Sequence, residues 1–298
     1  MQKGSLMKSY LNLHFIVFIW GFTAVLGDLI TIKEASLVWY RMLIAGIFMI
    51  LYVVITKKPW KLPVKSFAHL IGVGFLIALH WLFFFKAINV SNVSITLAVF
   101  STGAFFASIL EPIFFNRKML WYEVFFGLII IGGLLMIMQV EGQYLEGMLY
   151  ALLSVFLGVT FTLFNGKLIM KYDPSVITLY EFFAGVLLIT GYLFYEGTFT
   201  PEFFQISADD WVLIVILSSI CTAYAFTASV NVMKKLTPYT VMLTTNMEPV
   251  YGIILAYFIL GEKEKMSSGF YIGAVIILMT VILNGVLKNY KKPEKLQE

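Results

Sequence analysis

The chain has 298 residues, of which 60% are hydrophobic and only 13% carry a formal charge. This is the composition of a polytopic membrane protein, because no water-soluble core could bury so much apolar surface. The net charge of +4 does not indicate nucleic-acid binding, because in a membrane protein the placement of Lys and Arg matters more than their total.

Ten apolar segments, each long enough to cross a hydrocarbon core of roughly 30 Å, follow one another along the chain. Short polar connections with turn residues join them, and no soluble domain is inserted. The first segment follows two lysines but has no small-residue cleavage site, so we interpret it as an uncleaved span. The predicted spans cover about 11 to 30, 36 to 55, 67 to 86, 92 to 114, 119 to 138, 147 to 166, 175 to 195, 211 to 231, 239 to 260 and 267 to 287.

The distribution of Lys and Arg predicts the orientation of these spans in a lipid bilayer. If the N-terminus is cytoplasmic, sixteen of the 21 cations lie in cytoplasmic segments and four in external ones, while Arg41 lies inside a span. Such a bias places both termini in the cytoplasm. We therefore expect a multi-pass protein of a bacterial-type plasma or inner membrane.

The two halves of the chain show weak internal similarity. Gly21 aligns with Gly158, and Gly127 aligns with Gly273, with the offset changing only at loops. A unit with an odd number of spans repeats with its second copy inverted in the membrane. The fold class that we predict is an all-α integral membrane protein with ten transmembrane helices as two inverted five-helix repeats, covering residues 1–140 and 141–298.

This alignment places two helix-weakening sites at similar depth. Thr102-Gly103 in the fourth span falls opposite Glu248-Pro249 in the ninth, so Thr102, Gly103 and Pro249 are predicted hinge residues. The other Glu-Pro pair, Glu111-Pro112, lies near the cytoplasmic end of the fourth span. Its likeness to Glu248-Pro249 is therefore local.

Glu248 lies near the middle of the ninth span, close to the bilayer midplane. An ionisable group at that depth is a functional-site hypothesis. Pro249 cannot donate a backbone hydrogen bond, and membrane helices tolerate the freed carbonyl only where protein or a water-filled cavity satisfies it. We predict that Glu248 lines a cavity, a structural kink being the alternative, together with its neighbours Asn246, Thr244 and Tyr251.

Two further charged residues lie within predicted spans. Arg41 is some five residues from the external end of the second span, where it could bind an anionic group or simply extend its side chain to the headgroups. Glu181 is about seven residues into the seventh span, at roughly the inverted counterpart of Arg41. Its short side chain favours a cavity or an intramembrane partner.

Aromatic and histidine residues complete the candidate site. His80 in the third span could relay protons near neutral pH, although it could equally be a hydrogen-bonded core residue. Trp20 and Trp81 could wall a pocket for an apolar or aromatic substrate, although lipid contact and packing explain most aromatic residues in such a chain.

One stretch carries a specific family resemblance. Asn246-Met-Glu-Pro-Val250, followed by an apolar run ending at Leu260-Gly261-Glu262 and by a glycine-bearing last span, resembles the end of an EamA-type domain of the drug/metabolite transporter superfamily. Trp20-Gly21 and Ala45-Gly46 fit the first-repeat pattern. The fourth span has Ser101-Thr102-Gly103 where the family has a proline. The resemblance implies ten helices in two inverted repeats and export of amino acids, other small metabolites or drugs.

Enzyme chemistry is the rival class for a polytopic protein. The sequence contains no HExxH, no Gly-x-Ser-x-Gly, no phosphate-binding loop and no paired aspartates within a span, so we predict neither catalysis nor a metal or cofactor. A lipid flippase remains an alternative. The function predicted is a secondary exporter of small amphipathic metabolites such as amino acids, with alternating access to a central cavity. Substrate, energy source and oligomeric state are left open.

Overall fold

The computed structural model describes residues 2–116, 118–119 and 121–291, and the long elements in these ranges are all helical. They form ten units, numbered here as spans 1 to 10. Eight are long and apolar enough to cross a membrane, and the shorter apolar stretches Val124–Val140 and Ser268–Asn284 belong to spans 5 and 10. The ten-span prediction is confirmed.

Spans 1 to 3 are Gln2–Leu29, Glu34–Ile55 and Val64–Val90, and spans 5 to 7 are Trp121–Val140, Leu145–Leu168 and Pro174–Tyr195. Span 10 is Ser268–Lys291. Spans 4 and 9 each consist of two helices, Val93–Phe100 with Gly103–Phe115 and Pro238–Thr245 with Glu248–Leu260. Span 8 joins Ala208–Ser218, a π-helical segment Ser219–Tyr224, and Ala225–Val232.

Side-chain caps fix where several spans begin. Asn92 accepts a hydrogen bond from the backbone of span 4, Asp173 from span 7, Ser207 from span 8 and Thr237 from span 9. In spans 7 and 9 a proline follows at the first helical position, where its missing N–H has no helical partner to lose. These starts can be recognised in the sequence.

Spans 4 and 9 break at matching depths. At the first break the Thr102 N–H donates to the Val99 carbonyl, and at the second the Met247 N–H donates to the Thr244 carbonyl, each at 3.0 Å. Both bonds have the tighter spacing of a 3₁₀ turn rather than an α-helix. Each of these two spans is therefore two half-helices that meet inside the bundle.

A pair of glutamates joins the two broken spans reciprocally. Glu111 at the end of span 4 accepts a hydrogen bond from the Tyr239 N–H at the start of span 9, at 3.2 Å. Glu264, just after span 9, accepts from the Val93 and Ser94 N–H groups at the start of span 4, at 3.1 and 2.8 Å. A half-turn relating the halves produces such matched contacts. The counterpart of Glu111 is therefore Glu264, not Glu248.

Spans 5 and 10 pack mainly on each other, through two glycines. A Cβ on Gly133 would lie 2.7 Å from Ile277 and 3.2 Å from the Gly273 carbonyl, and one on Gly273 would lie 2.7 Å from Ile137 and 3.0 Å from the Gly133 carbonyl. Backbone contact of this kind needs residues without side chains. Gly133 and Gly273 are thus contact partners, whereas the alignment of Gly127 with Gly273 as equivalent positions of the two repeats stays a prediction.

Replacing the Glu264 cap should lower thermal stability. Glu264 is 1% exposed, so Glu264→Ala leaves two buried N–H groups without an acceptor, at a cost of about 1–3 kcal/mol each. Glu262→Ala is the matched control, because its side chain is 89% exposed and its one ion pair among the described residues is with Lys265. Thermal unfolding in detergent should separate the two variants clearly. Equal losses in both would show that the cap contributes nothing.

Candidate functional site

A cavity lies at the centre of the bundle, where the breaks of spans 4 and 9 meet spans 1, 2, 3, 6 and 8. It contains about 930 Å³ of space free of protein atoms, including its open margin. Seven of the residues predicted from the sequence line it together: Trp20, Arg41, His80, Trp81, Asn246, Glu248 and Pro249.

Arg41 is the most constrained polar residue in this wall. It is 1% exposed, and its guanidinium carbon lies 3.9 Å from the centroid of the Trp81 ring. Its Nε donates to the Thr222 hydroxyl at 2.6 Å, while Nη1 is buried without a partner among the described residues. Arg41 therefore does not extend to the headgroups. A desolvated stack on Trp gives a cation about 2 kcal/mol, which leaves much of its desolvation cost unmet.

The π-helical segment of span 8 provides two of the polar contacts at the cavity. The Thr222 hydroxyl donates to the Leu217 carbonyl at 2.6 Å and is thereby oriented to accept from Arg41. The Cys221 carbonyl accepts from Trp20 Nε1 at 3.2 Å. A π-helical segment changes the directions of its side chains from those of a regular α-helix, and such segments often occur at functional sites. In this way span 8 links span 1 to span 2.

Glu248 begins the second helix of span 9 and is 7% exposed. Arg41 lines the same cavity, but there is no direct ion pair between these two described residues. Asn246 donates through Nδ2 to the Met242 carbonyl at 2.8 Å, which satisfies a group at the end of the first helix. The break thus leaves the Glu248 carboxylate at the positive end of a helix, where a negative charge is favoured.

His80 is held by span 6. Its Nδ1 lies 2.7 Å from the Ser154 carbonyl, so this nitrogen carries the hydrogen, and the Ser154 hydroxyl donates back to the His80 carbonyl at 2.6 Å. The ring contacts Phe161 edge-on, with centroids 5.3 Å apart. The bonds to Ser154 favour the interpretation as a hydrogen-bonded core residue whose ring forms part of the wall.

Several lining residues were not singled out from the sequence. Phe100, Phe161 and Phe226 extend the aromatic wall, and Asn165 and Ser229 add polar groups. A signal existed in span 8, since Thr222, Phe226 and Ser229 recur at helical spacing and share a face. No comparable signal distinguishes the phenylalanines from the many others in the chain.

The remaining candidates lie elsewhere. Thr244 lines a separate groove with Met247 and Leu278, and its hydroxyl donates to the Thr240 carbonyl at 2.9 Å. Tyr251 packs edge-on against Phe18 of span 1, with centroids 5.4 Å apart. The prediction that Thr244 and Tyr251 line the cavity with Glu248 assumed one continuous helix with all three on one face, and the break before Glu248 rotates the two half-helices relative to each other.

Three predicted residues lie just behind the cavity wall. Thr102 and Gly103 are buried at the break of span 4, where a Cβ on Gly103 would lie 3.1 Å from Val155 and 3.2 Å from Met242. Glu181 is fully buried and accepts a hydrogen bond from Asn165 Nδ2 at 3.4 Å. Because Asn165 lines the cavity, Glu181 is one side chain away from it.

Ten helices, two broken spans at matching depth and a central cavity with charged and aromatic walls define a multi-pass membrane protein of the transporter class. The chain belongs to the EamA-like transporter family, whose model matches it twice, over residues 7–139 and 145–286. The family consists of transporters and not of enzymes, and the resemblance recognised in the sequence is confirmed.

The relatives agree with this family. An uncharacterized transporter, YxxF, of Bacillus subtilis (strain 168) is 20% identical over 240 residues, which cover 78% of this chain and 75% of that protein. An uncharacterized transporter of Archaeoglobus fulgidus is 23% identical over 128 residues, 43% of each chain. The crystal structure of another protein, 15% identical, has a TM-score of 0.71 and covers 94% of this chain and 98% of its own. That likeness shows the fold alone.

Proposed function

We propose that the protein exports small amphipathic metabolites, in particular amino acids, across the cell membrane. One observation carries the proposal: a basic side chain, Arg41, and an acidic one, Glu248, line the same cavity without a direct ion pair between them. An amino acid has a carboxylate for Arg41 and an ammonium group for Glu248. A ligand that brings both counter-charges offsets the cost of keeping two buried charges apart.

The walls of the cavity suit the rest of such a substrate. Trp20, Trp81, Phe84 and Phe226 surround the charged pair with apolar surface. Ligand sites of this kind combine mostly apolar walls with a few polar groups that fix orientation. We therefore expect amino acids with apolar or aromatic side chains to be preferred over charged ones.

The two breaks supply a route for alternating access. We place the boundary between the repeats at residue 140, and we propose that the half-helices of spans 4 and 9 move relative to each other about Thr102, Gly103 and Pro249. Such discontinuous helices at a repeat interface are typical of secondary transporters, in which one repeat moves against the other around a central site.

The proposal is tested by finding what the protein moves. Untargeted metabolite profiling of medium from cells with and without the protein identifies candidates, and transport into reconstituted vesicles then tests each one. We expect apolar amino acids to accumulate outside expressing cells. A fluorescent-lipid translocation assay in the same vesicles tests the flippase alternative. Lipid movement without solute transport would contradict the proposal.

The proposed orientation predicts the pattern of cysteine labelling. In a Cys221→Ser background, a cysteine at Lys61 should react with a membrane-impermeant thiol reagent only after permeabilisation, and one at Gln205 should react in intact cells. Cys221 is buried, so its removal only lowers background. A further cytoplasmic position, Lys292, lies outside the residues that the structure describes. Labelling of both sites in intact cells would exclude a single orientation.

A further inference from the structure

A second carboxyl group is buried beside the cavity, and the proposed substrate site does not use it. Glu181 is 0% exposed, and its backbone packs so closely on span 3 that a Cβ on Gly74 would lie 2.3 Å from the Glu181 carbonyl oxygen. One carboxylate oxygen accepts from Asn165, and the other has no partner among the described residues. A charged carboxylate in such a place needs a cation, because its desolvation costs several kcal/mol.

Glu181, Asn165 and Thr178 each carry one buried oxygen atom without a hydrogen-bond partner among the described residues. These atoms are Glu181 Oε1, Asn165 Oδ1 and Thr178 Oγ1. Thr178 precedes Glu181 by three residues and shares its helical face. Buried polar atoms are nearly always satisfied in folded proteins, and each exception costs about 1–3 kcal/mol. A carboxylate, an amide and a hydroxyl oxygen are ligands that suit a hard cation.

No protein cation fills this position in the described part of the chain. Of the titratable groups on the surrounding spans, Arg41 bonds to Thr222 and stacks on Trp81. His80 is bonded to Ser154. The Lys167 ammonium group lies over the rings of Phe114 and Phe115, 5.3 and 5.5 Å from their centroids. The Tyr180 hydroxyl donates to the Trp60 carbonyl, and neither it nor the Cys221 thiol hydrogen-bonds with Glu181 among the described residues.

We propose that Glu181, Asn165 and Thr178 form a site for a monovalent coupling cation, a proton or Na⁺, next to the substrate cavity. Asn165 connects the two sites, because its side chain bonds to Glu181 and also lines the cavity. A bound cation changes what the Asn165 amide can offer to a substrate, and by linkage a substrate changes the affinity for the cation equally. The use of this cation site in transport rests on the proposed function, but the existence of the site does not.

The cation site can be tested without any transport substrate. The probes are the proton and Na⁺, applied to purified full-length protein in a Glu248→Gln background, so that Glu181 is the remaining carboxyl at the cavity. Infrared spectroscopy follows the C=O stretch of the protonated acid across a pH series, with NaCl or choline chloride at equal ionic strength. We expect a band that titrates and that is absent after Glu181→Gln.

The two salts distinguish the two cations. A titration that shifts in NaCl identifies a Na⁺ site, and one that is the same in both salts identifies a proton site. A band that is unchanged by Glu181→Gln, or one that never titrates, would overturn the proposal. Failure of amino-acid transport would leave this measurement unaffected, so the two proposals can fail separately.

A second variant keeps the test decisive if Glu181→Gln does not fold. Thr178→Val retains the carboxyl but removes one of the three oxygens, and it should shift the midpoint of the Glu181 titration by about one pH unit, the equivalent of one hydrogen bond. Thr160→Val is the matched control, because within the described residues the Thr160 hydroxyl bonds to the Phe156 carbonyl of its own helix and to no other group. Equal midpoints in both variants would contradict the site.

Discussion

Arg41→Gln should reduce substrate binding and vesicle transport roughly 10- to 150-fold, because a hydrogen bond to a charged partner contributes about 1.5–3 kcal/mol. The fold should survive, since the variant removes a buried charge that is costly to desolvate. The amide retains a donor for the Thr222 hydroxyl but cannot supply a positive charge to a carboxylate. The measurement is transport by purified, monodisperse protein in vesicles.

One further variant separates charge from shape at Arg41, and a second variant at a distant lysine is the control. Arg41→Lys keeps the positive charge but loses the planar group that stacks on Trp81, so partial activity is expected. Lys265→Gln removes a cation that lies after span 9 and whose side chain is 63% exposed, and it should transport like the wild type. If Arg41→Gln also transported like the wild type, the guanidinium would be only a packing element.

Glu248→Gln should fold normally and lose most transport, since it keeps the shape of the side chain and removes its charge. The carboxylate lies at the break of span 9 without a direct cationic partner among the described residues, so a substrate ammonium group is its proposed counter-charge. A lost charge-assisted contact again corresponds to a loss of roughly tenfold or more. Transport is measured across a pH series at equal protein density.

Glu262→Gln is the control for this variant, because its side chain is 89% exposed and lies outside the cavity. It should match the wild type at each pH. Unchanged transport by Glu248→Gln at every pH would make Glu248 a structural residue, and the charge-pair proposal would then have to be abandoned.

Hydropathy was enough to predict the ten spans, because a 30 Å apolar layer demands long apolar segments whose backbone is helical. Pro249 and a carboxyl group near mid-span likewise indicated the break at Glu248. The position of Thr244 and Tyr251 could not be predicted in the same way. The directions in which their side chains point depend on the rotation between the two half-helices, which a few backbone dihedral angles at the break determine.

Contacts between residues far apart in the sequence could not be predicted from local sequence patterns. The contact between Arg41 and Thr222 joins residues 181 positions apart, and it needs a π-helical segment in span 8 that no proline or glycine marks. The contact between Gly133 and Gly273 could not be predicted for a related reason, because apolar helices offer many equivalent glycine matches and only packing selects this pair. For Glu181 the sequence predicted a cavity or an intramembrane partner, but it did not indicate that Asn165 would be the residue bonded to it.

Counterflow is the most direct test of whether the central cavity transports amino acids. Vesicles loaded with one unlabelled amino acid are diluted into the same labelled amino acid, over a panel of apolar, aromatic and charged members. The wild-type protein should accumulate label transiently for at least one apolar or aromatic member, and Arg41→Gln and Glu248→Gln should not. Absence of counterflow across the whole panel with folded wild-type protein, or full counterflow by both variants, would contradict the proposed function of the cavity.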